Sequence, residues 1–189
     1  MPHDTLDLTG KLLIAMPGMS DPRFAGAVIF IAAHSAEGAM GLIVNKPAEG
    51  VALTDVLEQL SDHVAPDHSP LGVHRGGPVE MERGFVLHSD EYRSALQTLE
   101  IEGGFALTAT LDILEDIANG KGPERALLML GYAGWGPDQL ENELSMNGWL
   151  TGDADMELIF DLEDAAKWAA AVSSLGVDPL GLSAAAGRA

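Results

Sequence analysis

The sequence predicts an α+β domain, a mostly antiparallel, curved sheet with helices packed outside it. Three observations carry that expectation. Apolar, strand-like runs crowd the first half of the chain, whereas helical periodicity enters mainly in the second. The regular strand–helix alternation of a parallel, doubly wound sheet is missing. At 189 residues the chain is sized for one domain, residues 1–189, which buries roughly 70% of its extended surface without needing disulfide or metal staples.

Each element follows from local pattern. Lys11–Met16 is a short apolar run stopped by Pro17-Gly18, which predicts a buried strand. Met16–Phe24 holds Pro17, Gly18 and Pro22 and predicts a loop. Ala27–His34 is β-branched at its centre and Met40–Asn45 returns after Glu37-Gly38, so the two predict a hairpin. Lys46-Pro47 ends it, since the residue before proline prefers extended geometry. Thr54 can cap a short helix with Val56, Leu57 and Leu60 on one face. Ser61–Gly72 predicts a polar loop. Val73–Arg75, Phe85–His88 and Phe105–Thr108 predict short strands. Leu111, Leu114, Ile117 and Ala118 mark a helix with Thr110 as its N-cap and Gly120 as its stop. Arg125–Tyr132 predicts a fully buried strand, and Gly131–Gly136 a tight turn. Pro137 suits the first turn of a helix carrying Leu140 and Leu144. Met156–Phe160 predicts a strand, and Asp161–Ser174 the longest helix, with Ala165, Trp168, Ala169 and Val172 inward and Gly176 closing it.

Composition excludes several classes of function. There is no cysteine, which removes disulfides, thiolate metal sites, iron–sulfur clusters and a cysteine nucleophile. Acids outnumber Lys plus Arg by 29 to 10, a net charge of −19. Residues 1–95 carry −7 and residues 96–189 carry −12. Such a surface repels phosphate backbones and anionic head groups, and no basic run compensates, so no nucleic acid or membrane partner is expected. The longest stretch without charge, Phe24–Ala36, has 13 residues, short of the ~18–20 a spanning helix needs. Asp4 and Asp7 stand where a secretory signal would be basic. A cytoplasmic protein is the expectation.

Five phrases, LLIAMPGMSDPRF (12–24), GAMGLIVNKP (38–47), GGPVEMERGFVLH (76–88), LGYAGWGPDQLENEL (130–144) and NGWL (147–150), resemble the bacterial YqgE/AlgH family, and AGRA (186–189) resembles its closing motif. The resemblance spans nearly the whole chain in the family's order. It implies one α+β domain whose bifurcated sheet forms a pseudo-barrel flanked by about four helices, in a cytosolic protein. Some members are labelled transcriptional regulators, but the resemblance implies no agreed ligand, reaction or DNA site. The chain departs from the family pattern at Ala33, where an acid often stands, at Arg188, where His is usual, and in lacking Cys.

The residues offer few chemical constellations. Asn45-Lys46-Pro47 ends a strand, where Lys46 could hold an anion or instead bridge to an acid. Arg83 and His88 stand five apart, on opposite faces of a strand, and are not expected to act as a pair. His63, His68 and His74 with Asp62 and Asp67 have loop composition and irregular spacing, so no metal site is expected. Gly131–Gly136 is not a phosphate cradle, because Pro137-Asp138 removes one N–H and adds negative charge. Ser20-Asp21 lacks any nucleophile elbow. Gln139 and Glu143 share a helix face, and Glu141 lies off it. Trp135 and Trp149 each follow a glycine and are expected to anchor the Leu140/Leu144 helix; lining a ligand surface is the competing role for Trp135.

Asn45, Lys46, Arg83, His88, Trp135 and Gln139 are therefore the candidate binding residues. No metal, cofactor or nucleophile motif is expected. The leading function is a regulatory or binding protein acting through a protein partner or small ligand, without direct DNA contact. Its rival is a small-molecule enzyme, which requires Asn45, Lys46, Arg83 and His88 to converge in one pocket. Catalytic residues, oligomeric state and the identity of any partner are not legible.

Overall fold

The computed structural model describes residues 6–52, 55 and 71–186. One nine-stranded sheet organises it, with strand order β6-β7-β5-β8-β3-β2-β1-β9 and β4 paired to β8 off that path. The strands are β1 (Lys11–Ala15), β2 (Val28–Ser35), β3 (Gly38–Ile43), β4 (Val73–Arg75), β5 (Val79–Ser89), β6 (Leu99–Ile101), β7 (Phe105–Thr108), β8 (Ala126–Trp135) and β9 (Trp149–Asp153). Helices α1 (Asp112–Ala118), α2 (Gln139–Ser145), α3 (Asp164–Ser174) and α4 (Pro179–Ala186), with a π-helical turn over Glu157–Asp161, flank it. Every ladder is antiparallel except β4–β8. The expected α+β class and the curved, largely antiparallel half-barrel are both present.

Alternation along the strands builds apolar clusters on the two sides of the sheet. Leu12, Ile14, Val28, Phe30, Leu87 and Met129 point into the main core, together with Ile159, Ala171 and Val172 from the flanking helical segments. Leu13, Ile29 and Ile31 point the other way, under Leu140 of α2 and the indoles of Trp135 and Trp149. Val86 and Leu128 pack beneath Ile113 and Leu114 of α1. Burial on both faces explains why these strands read as continuous apolar runs.

The long strand β8 crosses from one half of the sheet to the other. Its first part pairs with β5 and its last three residues with β3. The changeover needs close backbone approach. Gly131 adopts φ +75°, and a Cβ on Gly77 would lie 2.0 Å from the Tyr132 carbonyl carbon. Gly76-Gly77 and the start of GYAGWG therefore face each other. The expected tight turn at Gly131–Gly136 is thus the far half of a strand.

Other expectations change in the same way. Met156–Phe160 does not form a strand: Asp155 Oδ1 accepts from Leu158 N at 2.9 Å and Leu162 N donates to the Glu157 carbonyl, winding the segment helically. α3 begins at Asp164, and its buried face carries Lys167, Ala171 and Val172, whereas Ala165 and Ala169 are exposed and Trp168 is half-buried. The cap of α1 is Leu111, itself exposed; the Thr110 hydroxyl donates to Asp112 Oδ1. α2 starts two residues after Pro137, at a left-handed Asp138 (φ 61°). β6, β9 and α4 carry no strong sequence signal. The expected helix at Thr54–Leu60 and the His63/His68 tract lie outside the described residues.

Candidate functional site

A cleft of about 820 Å³ opens beside α2. One wall is the Met16–Phe24 loop, and the other is the end of β8, the first turn of α2 and the start of β9. Trp135 and Trp149 form its floor, with ring centroids 6.3 Å apart and planes at 78°, and the Phe24 ring meets Trp149 edge-on at 5.9 Å. Both indoles are largely buried, at 7% and 4% exposure.

Glu143 joins these elements. Its Oε2 accepts both indole N–H groups, at 3.0 Å from Trp135 and 2.8 Å from Trp149. Its Oε1 accepts from Gln139 Nε2 at 3.2 Å, and Gln139 Oε1 in turn accepts from Gly136 N at 3.0 Å. The i, i+4 spacing on α2 places both side chains on one face. Across the cleft, Arg23 grips Asp21 through its guanidinium, at 2.7 Å for the closest pair, and this contact holds the Asp21 carboxyl below its usual range. Trp135, Trp149, Gln139, Glu143, Asp21 and Arg23 are thus each tied to another group of the protein. The rest of the lining is mixed: Met16, Pro17, Met19, Phe24, Pro78, Val79, Met146 and Leu182 are apolar, and Ser20 and Asn147 add a hydroxyl and an amide.

Trp135 and Gln139 are the two candidates that meet in this cleft. Asn45 and Lys46 act behind it. Asn45 Oδ1 accepts from Val28 N and its Nδ2 donates to the Gly26 carbonyl, both at 2.8 Å; Lys46 Nζ donates to the Ala25 carbonyl at 2.8 Å. They fasten the returning end of the loop that walls the cleft. Arg83 lies on the exposed arm of β5, bonded to Glu80 and 4.9 Å above the Phe85 ring. It lines a second cleft, of about 630 Å³, with Met81 and Leu111. His88 is fully buried, with Nδ1 2.8 Å from the Ser89 carbonyl and Nε2 2.8 Å from Thr108 Oγ1. Burial lowers its pKa against the opposing pull of Ser89, Glu91 and Asp90. Asn45, Lys46, Arg83 and His88 do not line a common cleft among the described residues.

Sequence reasoning set Gln139 and Glu143 on one helix face but missed the part Glu143 plays in tying the two indoles together. The available signal was the pair of Gly-Trp steps bracketing a helix with Gln139 and Glu143 four apart. It also missed Lys167, buried against the Val44 carbonyl and Asp164, which bonds His74 in turn. Among the described residues no group of three or more His, Asp or Glu side chains is arranged to hold a metal ion. No described helix is long and apolar enough to cross a membrane.

A family model described as AlgH-like matches residues 12–180. The chain belongs to this family. It is 59% identical to a UPF0301 protein of Ruegeria pomeroyi, over 97% of this chain and 100% of that one. It is 49% identical to a UPF0301 protein of Rhodospirillum rubrum, covering 96% of this chain and 94% of the other. The solution structure of the AlgH protein from Pseudomonas aeruginosa superposes with a TM-score of 0.79 at 43% identity, over the full length of both chains. A crystal structure from Corynebacterium diphtheriae shares the fold at 20% identity, with a TM-score of 0.74 over 97% of this chain and 93% of that one. The AlgH-like family is thus shown by sequence as well as by shape.

Proposed function

We propose that this AlgH-like protein is a regulatory binding protein that holds a protein partner or small ligand in the Trp135/Trp149 cleft and does not contact DNA directly. The observation that carries this reading is the pairing of every charged side chain at the cleft's floor and wall with another group of the protein. Catalysis needs a base, acid or nucleophile free to change partner, whereas binding through apolar contact needs only a shaped, preformed surface. The Met16–Phe24 loop supplies that surface, and Asn45 and Lys46 hold it in place. The net charge of −19 argues against a phosphate backbone as the partner.

Two measurements test the reading. Nile red, a neutral apolar dye, should bind the wild-type protein with an emission increase that Met146→Lys removes without lowering the melting temperature. Equal dye binding by both proteins would overturn the cleft as the site. A gel shift with genomic fragments at ~50 mM salt should show no complex, and a tight, salt-sensitive complex would overturn the exclusion of DNA.

A further inference from the structure

Resting on the cleft as the binding site, we propose that its ligand is a small organic amine, held as the ammonium ion, with its charged nitrogen on Glu143 and an aromatic or aliphatic body along the apolar lining. The charge balance of the cleft carries this inference. Three ionisable side chains lie in the lining: Asp21, Arg23 and Glu143. Asp21 and Arg23 cancel, because the guanidinium donates to both carboxylate oxygens. Glu143 has no such partner. Its described side-chain donors, the indoles of Trp135 and Trp149 and the amide of Gln139, are all neutral. It takes part in none of the described ion pairs, and the last turn of α2 carries no basic residue. The cleft therefore holds one negative charge that hydrogen bonds orient and no cation balances.

That charge sits where a cation gains most. Glu143 is only partly exposed, and the two indoles bonded to it are buried. With water partly excluded, attraction between opposite charges is stronger than in bulk solvent. A carboxylate has about four lone-pair sites. Oε2 already accepts two bonds and Oε1 one, the longest of the three at 3.2 Å. The remaining site on Oε1 suits an ammonium N–H, which forms a charge-assisted bond there. The net charge of −19 steers cations toward the molecule and repels anions.

The rest of the lining fits the body of such a molecule. The volume of about 820 Å³ is of the size that takes a small organic ligand. Met19, Phe24 and Met146 supply apolar surface, and Met146 is 81% exposed at the rim. The unbranched thioethers adapt to the shape they meet. Ser20 and Asn147, both exposed, offer a hydroxyl and an amide to a polar substituent. A carboxylate ligand fits less well, since it repeats the charge of Glu143 and the one guanidinium in the lining is already held by Asp21. A neutral ligand leaves Glu143 unbalanced.

Titration calorimetry at neutral pH with three probes that share one apolar body tests the proposal: phenylbutylamine, phenylbutanol and phenylbutyrate. The amine should bind the wild-type protein at least about tenfold more tightly than the alcohol, the ratio expected for a charge-assisted hydrogen bond, and the acid more weakly than either. Glu143→Gln, which keeps an acceptor oxygen and removes the charge, should bring the amine to the level of the alcohol and leave Nile red binding in place. Ser20→Lys, on the exposed loop away from the indole bonds, should weaken the amine at least tenfold and the alcohol little, and it keeps the test intact if Glu143→Gln does not fold. Equal affinity for amine and alcohol, tighter binding of the acid, or an amine preference that survives either variant would overturn the amine as the ligand class, while Nile red binding still upheld the cleft. Failure of the wild-type protein to bind the dye or any of the three probes would overturn the binding reading as well.

Discussion

A carboxylate that accepts from two buried indoles is a demanding arrangement, and Glu143 is the most informative single residue in the molecule. Removing it strands the N–H groups of Trp135 and Trp149, each at a cost of about 1–3 kcal/mol. Glu143→Ala should therefore lower stability in urea unfolding clearly more than Glu143→Gln, which keeps one acceptor oxygen. Trp135→Ala should cost ~3–5 kcal/mol, as expected for a core tryptophan; an unchanged unfolding midpoint would mean the ring is not an anchor. His88 makes a prediction about pH. Its burial favours the neutral ring and lowers the pKa from the ordinary 6.5. The unfolded chain therefore takes up the proton first. The stability this neutral ring contributes is complete above about pH 6.5 and is lost as pH falls toward the folded value. His88→Gln should flatten the decline of melting temperature between pH 7 and 5. A slope equal to wild type would show that His88 does not titrate against folding.

At the scale of elements, α3 and the glycine contacts around β8 are where sequence and structure part most instructively. Helical periodicity located α3, but the expected inward face took Ala165 and Ala169 because apolar residues normally lead the buried stripe. Lys167 occupies that stripe instead. Its ammonium donates to the Val44 carbonyl at 2.8 Å and lies 2.9 Å from Asp164, whose carboxylate also bonds His74. Partners so distant in sequence cannot be read from a local pattern. Burial alone would raise the Asp164 pKa, but the hydrogen bonds from His74 and Lys167 outweigh it and hold the value below 3.8. The contribution of Asp164 is therefore full above about pH 4 and lost as pH falls through the depressed value. Lys167→Ala should destabilise by ~3–5 kcal/mol in denaturant unfolding, because it breaks a buried pair; Lys167→Met, which refills the volume, should cost less. The runs of β1, β2 and β3 were legible because burial on both faces leaves a continuous apolar signature. β9 was not, because Thr151, Gly152 and Asp153 gain their strand geometry from β1 opposite them. The candidate site was legible only in part: two Gly-Trp steps beside Gln139 stood out, whereas the Met16–Phe24 wall is followed by a segment whose bonds to Asn45 and Lys46, from Ala25, Gly26 and Val28, span too much sequence to be read from a local pattern.

For the whole molecule the governing quantity is charge. Nineteen acids have no basic counterpart in the sequence, and, apart from the buried Lys167–Asp164 pair, the described Lys and Arg ion pairs, Lys11–Asp153, Arg23–Asp21, Arg83–Glu80, Arg93–Glu100 and Arg125–Asp161, are all substantially exposed. Exposed pairs of this kind contribute about 0–1 kcal/mol each. Self-repulsion among the surplus carboxylates acts over the whole surface and opposes the compact state. Salt screens both effects, with a Debye length of about 30 Å at 0.01 M and near 3 Å at 1 M. Repulsion involves more charges at longer range, so its relief should win. Raising NaCl from ~10 mM to ~500 mM should raise the melting temperature at neutral pH. Chloride and sulfate at matched ionic strength should act alike over the lower part of that range, where screening dominates the specific effect of sulfate on apolar burial. A melting temperature that falls with salt would mean that attraction within the few ion pairs exceeds the repulsion. The folded surface would then have to arrange its acids far apart from one another, although both halves of the chain carry an excess of them, −7 over residues 1–95 and −12 over residues 96–189.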